Sequence, residues 1–231
     1  MENHLRSRWG QNTAAADVSK AEFIRQNTSV MPPPLVPEIK LHLAHEAVPL
    51  WQKTEEELGE MGLAPPFWAF AWAGGQALAR YVLDHAGTVG NLRVVDLATG
   101  SGLVAIAAVQ AGSASIVATD IDEFATTAAE MNAALNQVSL DIKLEDVLHQ
   151  QPPPTDVILV GDLFYEKTLA IRCLTWLRQA QRQGAKVFIG DPGRSYLPKE
   201  QLEKLAEYNV PVTRDLEDAE IKRTSVWQLR A

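Results

Sequence analysis

The sequence predicts an α/β fold in which a seven-stranded, mostly parallel sheet with its last strand antiparallel carries helices on both faces. Three observations predict it. From about residue 74 onward, apolar strand-like runs alternate with amphipathic helical stretches, the pattern of a parallel sheet with crossover helices. The strand candidates, DVILVGD (156–162) above all, are continuous apolar runs, as expected for strands buried on both faces. The last two strand candidates follow each other closely, which suits an antiparallel pair. The chain has 231 residues, 46% of them hydrophobic, enough for one large core.

In chain order, residues 18–61 read as a helical N-terminal extension broken by MPPPLVPE (31–38), where proline fixes φ and restricts the residue before it. The main domain is taken to begin at residue 65, giving 1–64 and 65–231. PPFWAFAWAGGQALARY (65–81) crowds Phe67, Trp68, Phe70 and Trp72 ahead of Gly74-Gly75, and Phe67 and Phe70 are expected to pack inward beneath the extension. GGQALARYVLD (74–84) is helical, with Ala77, Leu78, Tyr81 and Val82 at helix spacing. NLRVVDLA (91–98) is a strand, GLVAIAAVQAG (102–112) a helix ended by Gly112, SIVATD (115–120) a strand and EFATTAAEMNAALNQ (123–137) a helix. LDIKLEDVL (140–148) holds a third strand, and QPPPT (151–155) is a surface loop before the fourth. KTLAIRCLTWLRQAQRQG is a helix stopped at Gly184, AKVFIGD (185–191) a fifth strand and KEQLEKLAEY (199–208) a helix after Pro198. VPVTRDL (210–216) and IKRTSVWQLR (221–230) complete the sheet.

Composition removes several function classes. The formal charge of −8 and pI near 5.2 argue against broad binding to nucleic-acid phosphates and suit a basic protein partner. A single cysteine, Cys173, excludes an internal disulfide framework and a multi-cysteine zinc site, and its setting in a helix marks it as a small buried hydrophobe. The five histidines are scattered; His42 and His45 share a predicted helix face with no third ligand nearby, so no metal is expected. No apolar run approaches the roughly 18 residues of a membrane span. With no secretory h-region at the N-terminus, a reducing, cytoplasmic setting is expected, or the mitochondrial matrix for a eukaryotic source.

A doubly wound sheet binds ligands at the carboxyl ends of its strands. The first strand ends in Asp96-Leu97-Ala98-Thr99-Gly100-Ser101-Gly102, a tight turn that lets a ligand approach the backbone and aims a helix N-terminus at it. Gly100-x-Gly102-x-x-Ala105 also satisfies a loose dinucleotide fingerprint. Asp96 in that turn repels a pyrophosphate but suits a cationic ligand such as S-adenosylmethionine, with its ammonium and sulfonium. Asp120, followed by Ile121-Asp122, stands where a carboxylate accepts both ribose hydroxyls, and Glu145-Asp146 where one accepts an adenine amine. Acids at loop starts are also ordinary helix caps. At the fourth strand end, Asp162 is placed to orient an incoming amine and Tyr165 to supply a ring wall and a hydroxyl. Trp72 is expected to cover the sulfonium, with Gly74 and Gly75 admitting the methionine end.

These residues resemble a known family. Asp96-x-x-x-Gly100-x-Gly102 with Asp120 is similar to the first motif of the Rossmann-like class I methyltransferases, and Asp162-Leu163-Phe164-Tyr165 resembles the D-x-x-Y motif of lysine methyltransferase family 16. Three blocks narrow the resemblance to the electron transfer flavoprotein β-subunit lysine methyltransferases: residues 66–78, Gly161 to Tyr165, and Gly190-Asp191-Pro192-Gly193-Arg194. A closing Ser225-Val226-Trp227 agrees. The resemblance covers about 65–231 and implies an S-adenosylmethionine-dependent protein-lysine N-methyltransferase. It implies a cofactor site of Trp72, Gly74, Asp96, Ala98, Thr99, Gly100, Gly102, Asp120, Ile121, Asp122, Asp146 and Val147. Asp162 and Tyr165 become the catalytic pair and the flavoprotein β subunit the partner, while the acidic charge fits a monomer and, with no apolar span, neither nucleic acid nor membrane is expected as a partner. Ala98 departs from the usual first glycine, and the first 60 residues carry no transferable motif. Three readings compete with this one: a methyltransferase of a ribosomal protein or small amine, a non-catalytic S-adenosylmethionine-binding module, and a nicotinamide oxidoreductase.

Overall fold

The computed structural model describes residues 19–44, 65–212 and 220–230. A helix, α1 (Lys20–Asn27), is capped by the Ser19 hydroxyl, which accepts the Glu22 amide at 3.2 Å. Two short antiparallel strands follow, β1 (Ser29–Met31) and β2 (Leu41–Leu43). The main layer comprises α2 (Ala73–Asp84), β3 (Arg93–Leu97), α3 (Leu103–Gln110), β4 (Ser115–Asp120), α4 (Glu123–Leu135) and β5 (Asp141–Leu144). It continues with β6 (Val157–Gly161), α5 (Lys167–Arg182), β7 (Lys186–Asp191), β8 (Leu202–Pro211) and β9 (Ile221–Leu229).

Seven strands form one sheet in the order β5-β4-β3-β6-β7-β9-β8. β9 alone opposes the rest, pairing antiparallel with β7 on one side and β8 on the other. The order reverses between β3 and β6, so their carboxyl ends open a crevice. Both strands are nearly continuous apolar segments because each face is covered. Val94, Leu159 and Phe188 meet Leu78 and Ile106 of α2 and α3 on one face, while Val95, Ile158, Val187 and Ile189 meet Cys173, Trp176 and Leu177 of α5 on the other. Burial drives the Cys173 thiol up to about 12, which fits an inert packing role.

Two sequence expectations are corrected. KEQLEKLAEY is not a helix: a short 3-10 turn at Lys199–Gln201 leads into β8. Its helix formers yield to cross-strand pairing from Leu202↔Leu229 to Pro211↔Ile221, which buries Leu202 and Val210 and carries an irregularity between Lys204 and Ala206. Of the strand expected at 210–216, only Val210 and Pro211 fall in β8, and 213–219 lie outside the described residues. The extension, too, is not simply helical. After α1 it forms the β1–β2 pair, which places His42 on a strand, and His45 lies outside the described residues. Val36, Ile39, Leu41 and Leu43 join the same core as α2 and α3.

Backbone, rather than side chains, sets the depth at which α2 sits on the sheet. A Cβ on Gly74 would collide with the Gly190 carbonyl, and one on Gly161 would lie 3.1 Å from the Gly75 Cα. A Cβ on Gly190 would meet the Gly74 carbonyl and approach the Leu78 Cβ to 2.8 Å. Gly190→Ala is therefore expected to lower folding stability by about 1–3 kcal/mol or more through overpacking. Gly87→Ala, where nothing lies within 4 Å of the added carbon, should change it by no more than about 0.5 kcal/mol. Urea unfolding of both variants beside the parent checks the contrast.

Candidate active site

The carboxyl ends of β3, β4 and β6 and the segments after them enclose a cavity of about 500 Å³. At its floor is the turn after β3. Ala98, Gly100 and Gly102 all take left-handed conformations, with φ of 55°, 52° and 81°. Ala98 adopts the glycine-like conformation despite its methyl group, at a cost of about 1 kcal/mol. Asp96 holds the turn from behind. It is 2% exposed, and its Oδ2 accepts the Thr99 hydroxyl at 2.6 Å and the Ala105 amide at 3.1 Å. Burial pushes its carboxyl up to about 7 against those two bonds. The Gly100 amide points the other way, donating to Asp120 Oδ2 at 2.9 Å.

Asp120 ends β4 at the cavity wall. Its Oδ1 accepts the Ile121 and Asp122 amides at 2.8 and 3.1 Å, and burial still raises its pKa. A carboxylate has about four lone-pair positions, so capacity remains for a ligand hydroxyl. Asp122 caps α4 through the Phe124 amide at 2.8 Å, and burial lifts it to about 6. Beyond it Ile121, Val147, Leu148 and Leu169 form an apolar slot rimmed by Asp146 and Arg172. Burial pushes the Asp146 carboxyl up, but the Arg172 guanidinium, 2.8 Å from its Oδ2, outweighs this and leaves the pKa lowered.

The opposite end is built by Phe67, Trp72, Asp162, Tyr165 and Arg194. Asp162 has φ 56° and is held on three sides. Its amide donates to the Gly190 carbonyl at 3.0 Å, its Oδ2 accepts the Gly75 amide at 2.9 Å, and its Oδ1 accepts Arg194 Nη2 at 2.9 Å and Nε at 3.2 Å. The Arg194 guanidinium also stands 5.6 Å from the Trp72 ring centre. Tyr165 tilts against Phe67 at 5.8 Å, and burial raises its phenol pKa. The loop bearing Arg194 is fixed by Asp191, whose Oδ1 accepts the Gly193 and Arg194 amides at 2.6 and 2.7 Å.

The structure thus brings together at the cavity Trp72, Ala98, Gly100, Asp120, Ile121, Asp122, Asp146, Val147, Asp162 and Tyr165. Asp96, Thr99, Gly102 and Gly74 stand behind the lining. Asp96 braces the turn through Thr99 and Ala105, and Gly74 leaves room for the Gly190 carbonyl of β7. Phe70 is buried as expected, but Phe67 is 39% exposed and lines the cavity, because its backbone carbonyl binds the Trp72 indole nitrogen at 2.9 Å and holds it beside that ring. Arg194, Phe67, Leu148, Leu169 and Arg172 were not anticipated as site residues. The Gly190-to-Arg194 block was the signal that could have found Arg194. Among the described residues no group of histidine, cysteine or carboxylate side chains could hold a metal ion, and no helix is long and apolar enough to cross a membrane.

A protein of Xenopus laevis named electron transfer flavoprotein beta subunit lysine methyltransferase is 37% identical over 211 residues, 89% of this chain and 85% of that protein. The Homo sapiens protein of the same name is 33% identical over 89% of this chain and 80% of its own length. The chain belongs to this family. Family membership makes it a methyltransferase, and the broader group is visible too. The family model for ribosomal protein L11 methyltransferase (PrmA) matches residues 76–163. A ribosomal protein L11 methylase from Lactobacillus delbrueckii superposes with TM-score 0.50 at 25% identity, over 74% of this chain and 83% of that one. The magnesium protoporphyrin IX methyltransferase of Synechocystis, solved with bound S-adenosylhomocysteine, shares the fold alone, with TM-score 0.52 at 13% identity over 80% of this chain and 99% of that one.

As a member of the flavoprotein lysine methyltransferases, the chain has in Asp96 a measurable signature of its turn. A protonated Asp96 stabilises the fold fully below about pH 4, and this contribution is lost as the pH rises through about 7. Asp96→Asn keeps a neutral acceptor and removes the dependence. Between pH 4 and pH 8 the variant should gain on the parent by on the order of 3 kcal/mol in urea-unfolding free energy.

Proposed function

We propose that this enzyme transfers methyl groups from S-adenosylmethionine to lysine side chains of the electron transfer flavoprotein beta subunit. The observation that carries the reading is the likeness to the relatives of that name, which spans nearly the whole chain, 95% of it for the Rattus norvegicus protein at 33% identity. The donor set fits the methyl donor. An adenosyl group needs an acceptor pair for the ribose diol and an apolar slot for the base, and Asp120 and the Ile121, Val147 and Leu148 wall have that chemistry. Asp146 would accept the base's amine, while the open backbone at Ala98 and Gly100 and the Trp72 ring border the amino-acid end. Asp96, Thr99 and Gly102 act indirectly by holding the turn, and Gly74 by seating α2. When bound, S-adenosylmethionine would supply a methyl group on a sulfonium, an electrophile open to an amine lone pair.

Asp162 and Tyr165 serve the lysine. A lysine side chain, with a reference pKa near 10.4, must shed a proton before its lone pair is available. Asp162, fixed by the Gly75 amide and by its own amide's bond to the Gly190 carbonyl, accepts hydrogen bonds from the amine and fixes its direction. Phe67 and Tyr165 flank it with apolar surface at the mouth of the cavity. The described part of the 1–64 extension packs Ile24 with Trp68 and Phe70, next to Trp72 of the 65–231 domain, at this end. A monomer acting on a folded basic partner, in the cytoplasm or in the matrix of a eukaryotic source, suits the net charge of −8.

The match of the ribosomal protein L11 methyltransferase model to residues 76–163 favours a second reading, methylation of a ribosomal protein. Incubation with labelled S-adenosylmethionine and each purified protein separates the two, and the flavoprotein beta subunit is expected to take the label. Label on the ribosomal protein alone would reassign the substrate. Asp162→Asn should cut turnover at least about 100-fold while S-adenosylhomocysteine affinity, followed by calorimetry, changes less than about fivefold.

A further inference from the structure

Resting on that reading, we propose that Arg194 is an internal stand-in for the acceptor lysine, a specificity-determining side chain that occupies the Asp162 subsite until substrate displaces it. The subsite has the chemistry a cation seeks. Asp162 offers one carboxylate oxygen into the cavity, and the Trp72 ring offers its face, and the Arg194 guanidinium takes both, at 2.9 Å from Oδ1 and 5.6 Å from the ring centre. Both donors, Nε and Nη2, go to that single oxygen, while Oδ2 is engaged by the Gly75 amide. The Asp162 and Arg194 side chains are only 10% and 20% exposed, so an enzyme lacking this pair would leave the carboxylate poorly solvated between turnovers.

Two further facts favour exchange over a permanent pair. The backbone of Arg194 is anchored independently of its side chain, through the bond from its amide to Asp191 at 2.7 Å and that from the Leu197 amide to its carbonyl at 3.1 Å. Its guanidinium can therefore leave Asp162 without unfolding the loop. A guanidinium also holds its proton under all physiological conditions and offers no lone pair, so it fills the subsite without being consumed. A lysine reaching the same oxygen carries a like charge and can lose its proton. Discrimination between the two cations then rests on protonation chemistry rather than on shape.

The test puts a transferable amine where the stand-in sits. Arg194→Lys, incubated with S-adenosylmethionine and no other protein, is expected to methylate its own introduced side chain. That nitrogen loses a proton to water and forms a C–N bond as the S–C bond breaks, with S-adenosylhomocysteine leaving. Intact mass and fragmentation locate the added methyl groups, and the parent should show none at Arg194. Arg194→Gln, which removes the competing cation but keeps a donor, should lower KM for the flavoprotein about tenfold. A folded Arg194→Lys chain that binds S-adenosylhomocysteine like the parent yet gains no methyl at that position overturns the proposal. So does an Arg194→Gln enzyme whose KM rises, since Arg194 would then hold substrate instead of competing with it. If the parent itself methylates no flavoprotein, the assigned substrate fails rather than the exchange.

Discussion

Gly74, Gly161 and Gly190 let the first turn of α2 lie directly on the backbones of β6 and β7, and the Gly75 amide brought there aims the Asp162 carboxylate. The residue after β6 must leave the strand direction at once, and it does so in a left-handed conformation that an aspartate adopts at a cost of about 1 kcal/mol. Two backbone bonds repay this, one from its own amide to Gly190 and one from Gly75 to its side chain. A side chain larger than hydrogen at any of the three tight positions would push α2 outward and carry the Gly75 amide with it. The acceptor end is therefore as precise as the helix–sheet distance.

Much of this was legible in the sequence because parallel sheets write themselves as apolar runs. SIVATD matches β4 residue for residue, and DVILVGD and AKVFIGD each overrun their strands by one or two residues. KEQLEKLAEY misled because an edge strand with one solvated face tolerates the charged helix formers Glu203, Lys204 and Glu207. Of the acids read at strand ends, Asp120 and Asp146 face the cavity. Asp96 does not, since sequence spacing fixes the turn but not the direction of a carboxylate within it. Arg194 escaped notice because its role depends on a tertiary meeting with residue 162, thirty-two positions away.

The acids divide by partner rather than by position. Asp120, Asp122 and Asp96 bond to amides and a hydroxyl, and burial dominates them, so their pKa values rise. Asp146 meets Arg172, and its value falls. Asp191 sits between these cases. Raised to about 6, it satisfies two loop amides with one oxygen, while the other, Oδ2, is buried without a protein partner. Carboxylates that bond to backbone in this way set loop shape; those facing guanidinium groups keep their charge available at the cavity.

Asn132, fully buried on α4, joins two parts of the molecule that never touch in sequence. Its side-chain nitrogen donates to the Ser101 carbonyl in the glycine turn at 2.8 Å, and its oxygen accepts the His42 amide of β2 at 2.7 Å. Nearby, Asn136 accepts the Lys40 amide at 2.9 Å, and Gln76 accepts that of Leu35 at 3.1 Å. The proline-bearing segment before residue 44 is thus a strap tied to the glycine turn through one amide group. The nitrogen and the oxygen of that amide serve different segments, so one rotamer of Asn132 satisfies both. Loss of this single side chain would therefore strip a partner from an acceptor in the turn and from a donor on the strap at once, at about 1–3 kcal/mol for each buried group left unpaired.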